Sequence, residues 1–281
     1  MGELKVGDIV ARKSYGCDVF FKVADIRNDG KEDIVTLKGI SYRIEADAPK
    51  SDLELQSEQK VSDYRNKCNR QVEKVIRSNY PLRYRSYSKK ASYRDTPKDK
   101  YRIFSRPGKV LHIDGDEEYL ETCLSEYRKL NIDAVGRYVP EKQQPSAVYK
   151  LLEENKPDIL VLTGHDGVIK GDKSYLNVTN YRNSRYFIEA VKAARKYEND
   201  MDSLIIFAGA CQSMYSEILK AGANFASSPK RVLIHALDPV LVCKKISFTG
   251  VDRIISPQDV AAGTITGPEG IGGLQTRGKY R

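Results

Sequence analysis

No two of the five cysteines form a C-x-x-C pair; they stand far apart at 17, 68, 123, 211 and 243. Their odd number and wide spacing indicate neither a disulfide framework nor a zinc site, and they point to a reducing compartment. No third or fourth ligand stands at a plausible spacing, so no metal is expected. The N-terminal "MGELKVGDIVARKSYG" has no apolar core of a signal peptide, and Val6 stands where a myristoylation signal requires Ser or Thr. No apolar run approaches the roughly 18 residues of a membrane span. The chain contains no G-x-x-x-x-G-K-[ST], and no strand leads into a G-x-G-x-x-G, so no nucleotide cofactor is indicated. These absences leave a soluble, cytoplasmic protein with no cofactor and no membrane partner as the expectation.

What the chain does have is positive charge. The formal net charge is +9 over 281 residues, which favours an acidic partner without specifying nucleic acid. Much of the excess lies between Arg65 and Arg106, a stretch rich in Tyr, Lys and Arg. Tyrosines stack on bases and arginines pair with phosphate, so RNA binding is one reading of it. A solvated helix followed by an exposed linker is the other and the preferred one.

Alternation of apolar and polar residues over 1–56, with turns at Asn28-Asp29-Gly30 and Lys38-Gly39, predicts short strands in a small SH3-like β-barrel. Residues 57–106 read as a helix running into the basic linker. From 107 to 260 strands and helices alternate: "KVLHID", "DAVGRYV", "DILVLTG", "SLIIFAGA" and "RVLIHAL" are apolar strands separated by helical patterns. That is the pattern of an α/β domain with a parallel, three-layer sheet, flavodoxin-like or caspase-like. Residues 261–281 read as a Gly-rich basic tail. Function in such a sheet collects at the carboxyl ends of the strands.

Two of those ends carry reactive side chains. "LTGHDG" presents His165 and "FAGACQS" presents Cys211, 46 residues later, the separation of one β-α-β unit. A thiol needs a nearby base to act as a nucleophile, and a helix starting just after it would favour the thiolate. Glycines on either side let backbone approach a substrate, and the Gly167 and Cys211 amides are candidate oxyanion donors. Either residue alone would read as packing; both at consecutive strand ends read as a catalytic pair. His112 and His235 lie in strand patterns and read as interior residues. A thiol amidase on the same sheet would need a Glu or Lys near Cys211, and none is evident.

The histidine-then-cysteine order, the glycine just past the histidine and "GAC" after an apolar strand resemble the caspase-like (clan CD) cysteine peptidases. Asp166 is inserted between the histidine and that glycine, and Gln212 follows the cysteine. Longer blocks, "VGDIVARKSYGCDVFFKV", "KVLHIDGD", "LTGHDG", "FAGACQS", "NFASSPKRVLIHALDPV" and "GIGGLQTRGKY", are similar to the YabG family of sporulation-specific proteases of spore-forming bacteria. The resemblance implies a cysteine endopeptidase with His165 and Cys211 as its dyad, cutting spore-coat and related proteins after basic residues, chiefly Arg. It also implies the mother cell as the place of action, in association with the spore coat. A pocket for Arg calls for a carboxylate, since guanidinium pairs with it as a fork. Asp114 and Asp238 come first as candidates, then Asp116. Asp166 is free to orient His165. Arginines 83, 85, 94, 102 and 106 would be open to self-cleavage in the linker. The alternative is a non-catalytic spore-coat scaffold or nucleic-acid-binding protein.

Overall fold

The computed structural model describes residues 4–28, 30, 32–78, 106–169 and 175–281. Most of the basic linker, with Arg83, Arg85, Arg94 and Arg102, lies outside the described residues. The first strands are β1 (Ile9–Arg12), β2 (Phe20–Asn28), β3 (Asp33–Gly39), β4 (Glu45–Pro49) and β5 (Leu53–Leu55), followed by helix α1 (Glu58–Ser78). They form one antiparallel sheet in the order β4-β3-β2-β1-β5. The alternation read from the sequence is that of a half-buried sheet: Val10, Phe21, Val23, Val35 and Leu37 face inward.

The second sheet is built from β6 (Val110–Asp114), β7 (Ala134–Tyr138), β8 (Ile159–Thr163), β9 (Ile205–Ala208) and β10 (Phe225–Ser227), all parallel, with β12 (Ile271–Gly273) antiparallel at one edge. Its order is β12-β10-β9-β8-β6-β7. Helices α2 (Glu117–Lys129), α3 (Gln144–Asn155), α4 (Ser184–Tyr197), α5 (Tyr215–Lys220), α6 (Asp238–Ser247) and α7 (Pro257–Ala261) connect or follow the strands. Strands β11 (Ile254–Ile255) and β13 (Thr276–Arg277) pair separately.

Both faces of the parallel sheet are covered, which is why its strands read as unbroken apolar runs. Leu111, Ile113, Leu160, Leu162 and Ile206 point into one layer with Val148 and Leu152 of α3 and Phe187 and Val191 of α4. Val110, Ile159, Val161, Ile205 and Phe207 point into the other, with Cys123 and Tyr127 of α2 and Cys243 and Ile246 of α6. The inward residues of the N-terminal sheet, among them Phe21 and Leu37, belong to this second layer. The two sheets therefore share one core. Full burial of side chains such as Phe207 is worth about 1.5–3 kcal/mol each.

Two expectations change. "RVLIHAL" is not the fifth parallel strand; residues 231–237 run as an irregular segment, and Phe225–Ser227 of "NFASS" pairs with β9 instead. The physical reason is the partner that 234–236 finds: the backbone of residues 41–43, not the sheet. The Gly-rich end is not a tail either. Ile271 packs in the core, and β12 closes the sheet edge.

From β6 the chain passes to β7 on one side, and β8 lies on the other. The crevice between the carboxyl ends of β6 and β8 is therefore the topological switch point, where ligands of open α/β sheets bind.

Candidate active site

The register of β8 and β9 fixes where the two reactive residues stand. Leu162 is opposite Ala208. His165 and Cys211 each follow that pair by three residues, so both leave the sheet at the same level on neighbouring strands. Both are fully buried. Thr163 donates its hydroxyl to the Gly209 carbonyl at 3.0 Å, a cross-link just below them.

One carbonyl joins the two loops. The Arg43 oxygen accepts from the Cys211 amide at 3.1 Å and from the Asp166 amide at 3.2 Å. The Gly167 amide is not available as an oxyanion donor, because it bonds the Asp166 carboxylate at 2.8 Å. The amide that shares an acceptor with that of Cys211 is the Asp166 amide. The absent side chain of Gly167 serves another purpose: a Cβ there would lie 2.2 Å from the Glu45 carbonyl oxygen.

Asp166 does not orient the imidazole. Its carboxylate accepts from the Gly167 and Asn183 amides and from the Ser184 and Ser213 hydroxyls, and Ser213 in turn accepts from the Ala210 amide. It thereby ties the β8 loop to the β9 loop and to the start of α4. Burial pushes its carboxyl up to about 6, against the pull of those hydrogen bonds. Gln212 has a left-handed backbone (φ 55) and accepts from the Val168 amide at 3.2 Å, a second tie between the loops.

His165 is held from below by Glu141, whose carboxylate accepts the His165 amide at 2.8 Å. A Cβ on Gly164 would sit 2.2 Å from that carboxylate, so only glycine admits it. Burial raises the Glu141 carboxyl to about 7, offset in part by the His165 amide. The imidazole stacks on Tyr119, centroids 5.2 Å apart, and its Nδ1 lies 3.7 Å from Asp116. Burial first, then the charges of Lys38 and Arg43, lower His165 to about 3. It is a neutral imidazole, the form a general base requires. Burial likewise raises the Cys211 thiol, whose sulfur accepts from the Ile234 amide at 3.0 Å. The expected helix directly after Cys211 does not form; α5 starts at Tyr215 and has six residues.

The three candidate carboxylates separate cleanly. Asp114 ends β6 at the switch point and is fully buried. Arg43 pairs with it at 2.9 Å, and His112 Nε2 lies 3.2 Å from it on the other side. The guanidinium also bonds the Ala236 carbonyl at 3.0 Å, reaches the Gly164 carbonyl at 3.4 Å and Cys123 Sγ at 3.6 Å, and lies 5.1 Å from the centre of the Tyr119 ring. Burial disfavours the Asp114 charge, but Arg43 and then His112 outweigh it and hold the carboxyl at about 2. Asp238 is spent elsewhere: it bonds the amides of Ile265, Thr266 and His235 and the Thr266 hydroxyl. Asp116 caps α2 through the Tyr119 amide at 2.9 Å and faces His165. Neither carboxylate touches the Arg43 guanidinium, so among the described residues Asp114 alone of the three meets an arginine.

His112, Asp114 and Cys123 present ligand atoms close enough together for a metal ion. The Arg43 guanidinium bonds two of the three, Asp114 and Cys123, so the cluster already holds a cation of a different kind.

A family profile described as YabG peptidase U57 matches residues 5–281. The chain belongs to the YabG peptidase family. It is 41% identical over 283 residues to the sporulation-specific protease YabG of Bacillus subtilis (strain 168), covering 99% of this chain and 97% of that protein. The family profile spans the N-terminal sheet as well as the α/β sheet. The sequence marked His165, Cys211 and Asp114 but missed Arg43, Tyr119, Glu141 and Ser213. Gly115 and Gly164 were the available signal for Glu141, since both leave room for its carboxylate. Arg43 carried no signal, because its partners lie 71 and 193 residues away. No helix among the described residues is long and apolar enough to cross a membrane.

Proposed function

We propose that this chain is a sporulation-specific cysteine endopeptidase that cuts spore-coat and related proteins after arginine. The observation that carries it is the shared level of His165 and Cys211, three residues past a register pair on neighbouring parallel strands. Family membership supports the peptidase part.

The chemistry runs through this chain's own groups. His165 takes the thiol proton as the Cys211 sulfur bonds the scissile carbonyl carbon. The oxygen gains negative charge where the Cys211 and Asp166 amides converge, and such donors are worth about 3–4 kcal/mol each to a transition state. His165 then passes the proton to the departing amine as the C–N bond breaks. Water, with His165 again as base, releases the acyl group from sulfur. Asp114 receives the arginine side chain in a site too dry for any other cation to be left unpaired. The barrel-like N-terminal sheet forms the opposite wall, and the work is done in the mother cell against protein substrates.

Hydrolysis of a fluorogenic arginyl peptide tests this. Cys211→Ala and His165→Ala should each lower kcat/KM by about 10³-fold or more. Activity retained in Cys211→Ala would remove the thiol from the mechanism.

A further inference from the structure

Residues 40–44 close the β3–β4 hairpin, with Lys38 opposite Glu45 and the Gly39 amide donating to the Ile44 carbonyl at 3.0 Å. The end of the hairpin, bent at Arg43 where the Ile44 amide donates to the Tyr42 carbonyl at 2.8 Å, reaches into the switch-point crevice as a strap. On one side the strap pairs antiparallel with residues 234–236: the Arg43 amide donates to Ile234 at 2.9 Å, and the Ala236 amide donates to Ser41 at 3.0 Å. On the other side it pairs with the β8 loop, where the Glu45 amide donates to the Asp166 carbonyl at 2.9 Å. Tyr42 lies edge-on to His235, centroids 6.0 Å apart. Beyond the strap, Arg182 holds Glu45 and Asp47 by ion pairs.

The main-chain bonds to 234–236 and to the β8 loop are of the kind a peptide substrate makes. An extended chain adds to an exposed edge through its main chain, and alternate side chains enter pockets. Here the residue in the pocket is arginine, its guanidinium is on Asp114, and its carbonyl oxygen is on the Cys211 amide.

We infer that the strap occupies the enzyme's own substrate cleft, with Arg43 in the specificity pocket and Tyr42 in the neighbouring subsite against His235. This rests on reading the site as an arginine-accepting thiol peptidase. The edge 234–236 is then the strand on which substrates pair, which is why "RVLIHAL" is apolar and strand-like in sequence but absent from the sheet. An outside chain enters only when the strap leaves, and a substrate with an aromatic residue before its arginine matches the strap most closely. The burial of Cys211 and His165 belongs to this occupied state. The occupant covers them, and burial keeps both neutral.

The test is alkylation of Cys211 by iodoacetamide in the full chain, followed by mass spectrometry. Arg43→Ala, shown to be folded by its melting transition, should be alkylated at least tenfold faster than wild type. The sign is diagnostic, because the Arg43 charge favours a thiolate at Cys211. Losing that charge without opening the cleft would slow alkylation, and an equal or slower rate overturns the inference. A second measurement avoids the substitution. A peptide arginine aldehyde adds reversibly to Cys211 of the wild type, and its binding is read by lost alkylation. Hydrogen exchange at the Arg43 and Glu45 amides should then rise at least tenfold. Unchanged exchange with the aldehyde bound, or an aldehyde that binds neither wild type nor Arg43→Ala, overturns it. Arginyl-peptide cleavage that survives Cys211→Ala takes down the peptidase reading itself. An unchanged alkylation rate beside cleavage that needs Cys211 takes down the strap alone.

Discussion

Two buried clusters sit side by side at the carboxyl edge of the parallel sheet, and they answer the same low-dielectric surroundings in opposite ways. In the first, Asp114 stays ionised because Arg43 and His112 offset the cost of burial, leaving its carboxyl at about 2. In the second, burial prevails: His165 falls to about 3, Glu141 rises to about 7, and the Cys211 thiol rises as well. Burial alone therefore does not determine charge. A matched partner within hydrogen-bond reach does, and of these two clusters only that of Asp114 has one. The imidazole and the thiol are both held uncharged by burial. The charged cluster already holds a cation, the Arg43 guanidinium.

The largest expected effect comes from breaking the charged cluster. Asp114→Asn should reduce the preference for Arg over Met at the cleavage position by about 10²-fold, read as a ratio of kcat/KM values. It should also cost about 3–5 kcal/mol of stability, since it leaves the Arg43 charge buried and unpaired. The sign with pH follows from a depressed carboxyl. The advantage of wild type over Asp114→Asn is full above about pH 4 and shrinks as pH falls toward 2. Denaturant unfolding across that range checks both statements, and an advantage that grows on acidification would contradict them.

The neutral cluster should give the opposite slope. Glu141 has a raised carboxyl, so its contribution is greatest below its ordinary value of 4.5 and is lost as pH rises through about 7. Glu141→Gln keeps an acceptor for the His165 amide but cannot ionise. Relative to wild type it should therefore gain about 2 kcal/mol between pH 5 and pH 8. Unfolding free energies at the two pH values decide it, and a flat difference would mean that Glu141 is not held neutral by its site.

How much of this was open to a reader of the sequence depends on how far apart the partners lie along the chain. The strands β6, β8 and β9 were legible because a parallel strand covered on both faces must be an apolar run. His165 and Cys211 were legible because each ends such a run beside glycine. The fifth strand was misplaced at 231–237, since periodicity reports a buried extended segment but not what it pairs with. Its partner is the strap, about 190 residues upstream in sequence. For the same reason Arg43 was invisible: nothing local distinguishes "SYRIE" from an ordinary strand connection. Asp166 looked like an interruption of a His-Gly turn, and its duty as the tie between two loops needed Ser184 and Ser213 in view.

The smallest effect separates the two aspartates that the sequence ranked together. Asp238→Asn should leave the preference for Arg over Met within about twofold of wild type, because its carboxylate holds the backbone at residues 235, 265 and 266 and does not touch the Arg43 guanidinium. Stability should drop by about 1–3 kcal/mol as those donors lose a charged acceptor. A tenfold loss of arginine preference in this variant would move the pocket from Asp114 to Asp238.

The central claim is that His165, Cys211 and Asp114 form one site that reads arginine, and a crystal structure of the full chain treated with an arginyl chloromethyl ketone tests it most directly. The account expects the inhibitor carbon bonded to Cys211 Sγ, its oxygen on the Cys211 and Asp166 amides, and its guanidinium on Asp114 with Arg43 displaced. An adduct on any other residue, or a bound inhibitor with Arg43 still paired to Asp114, would contradict it.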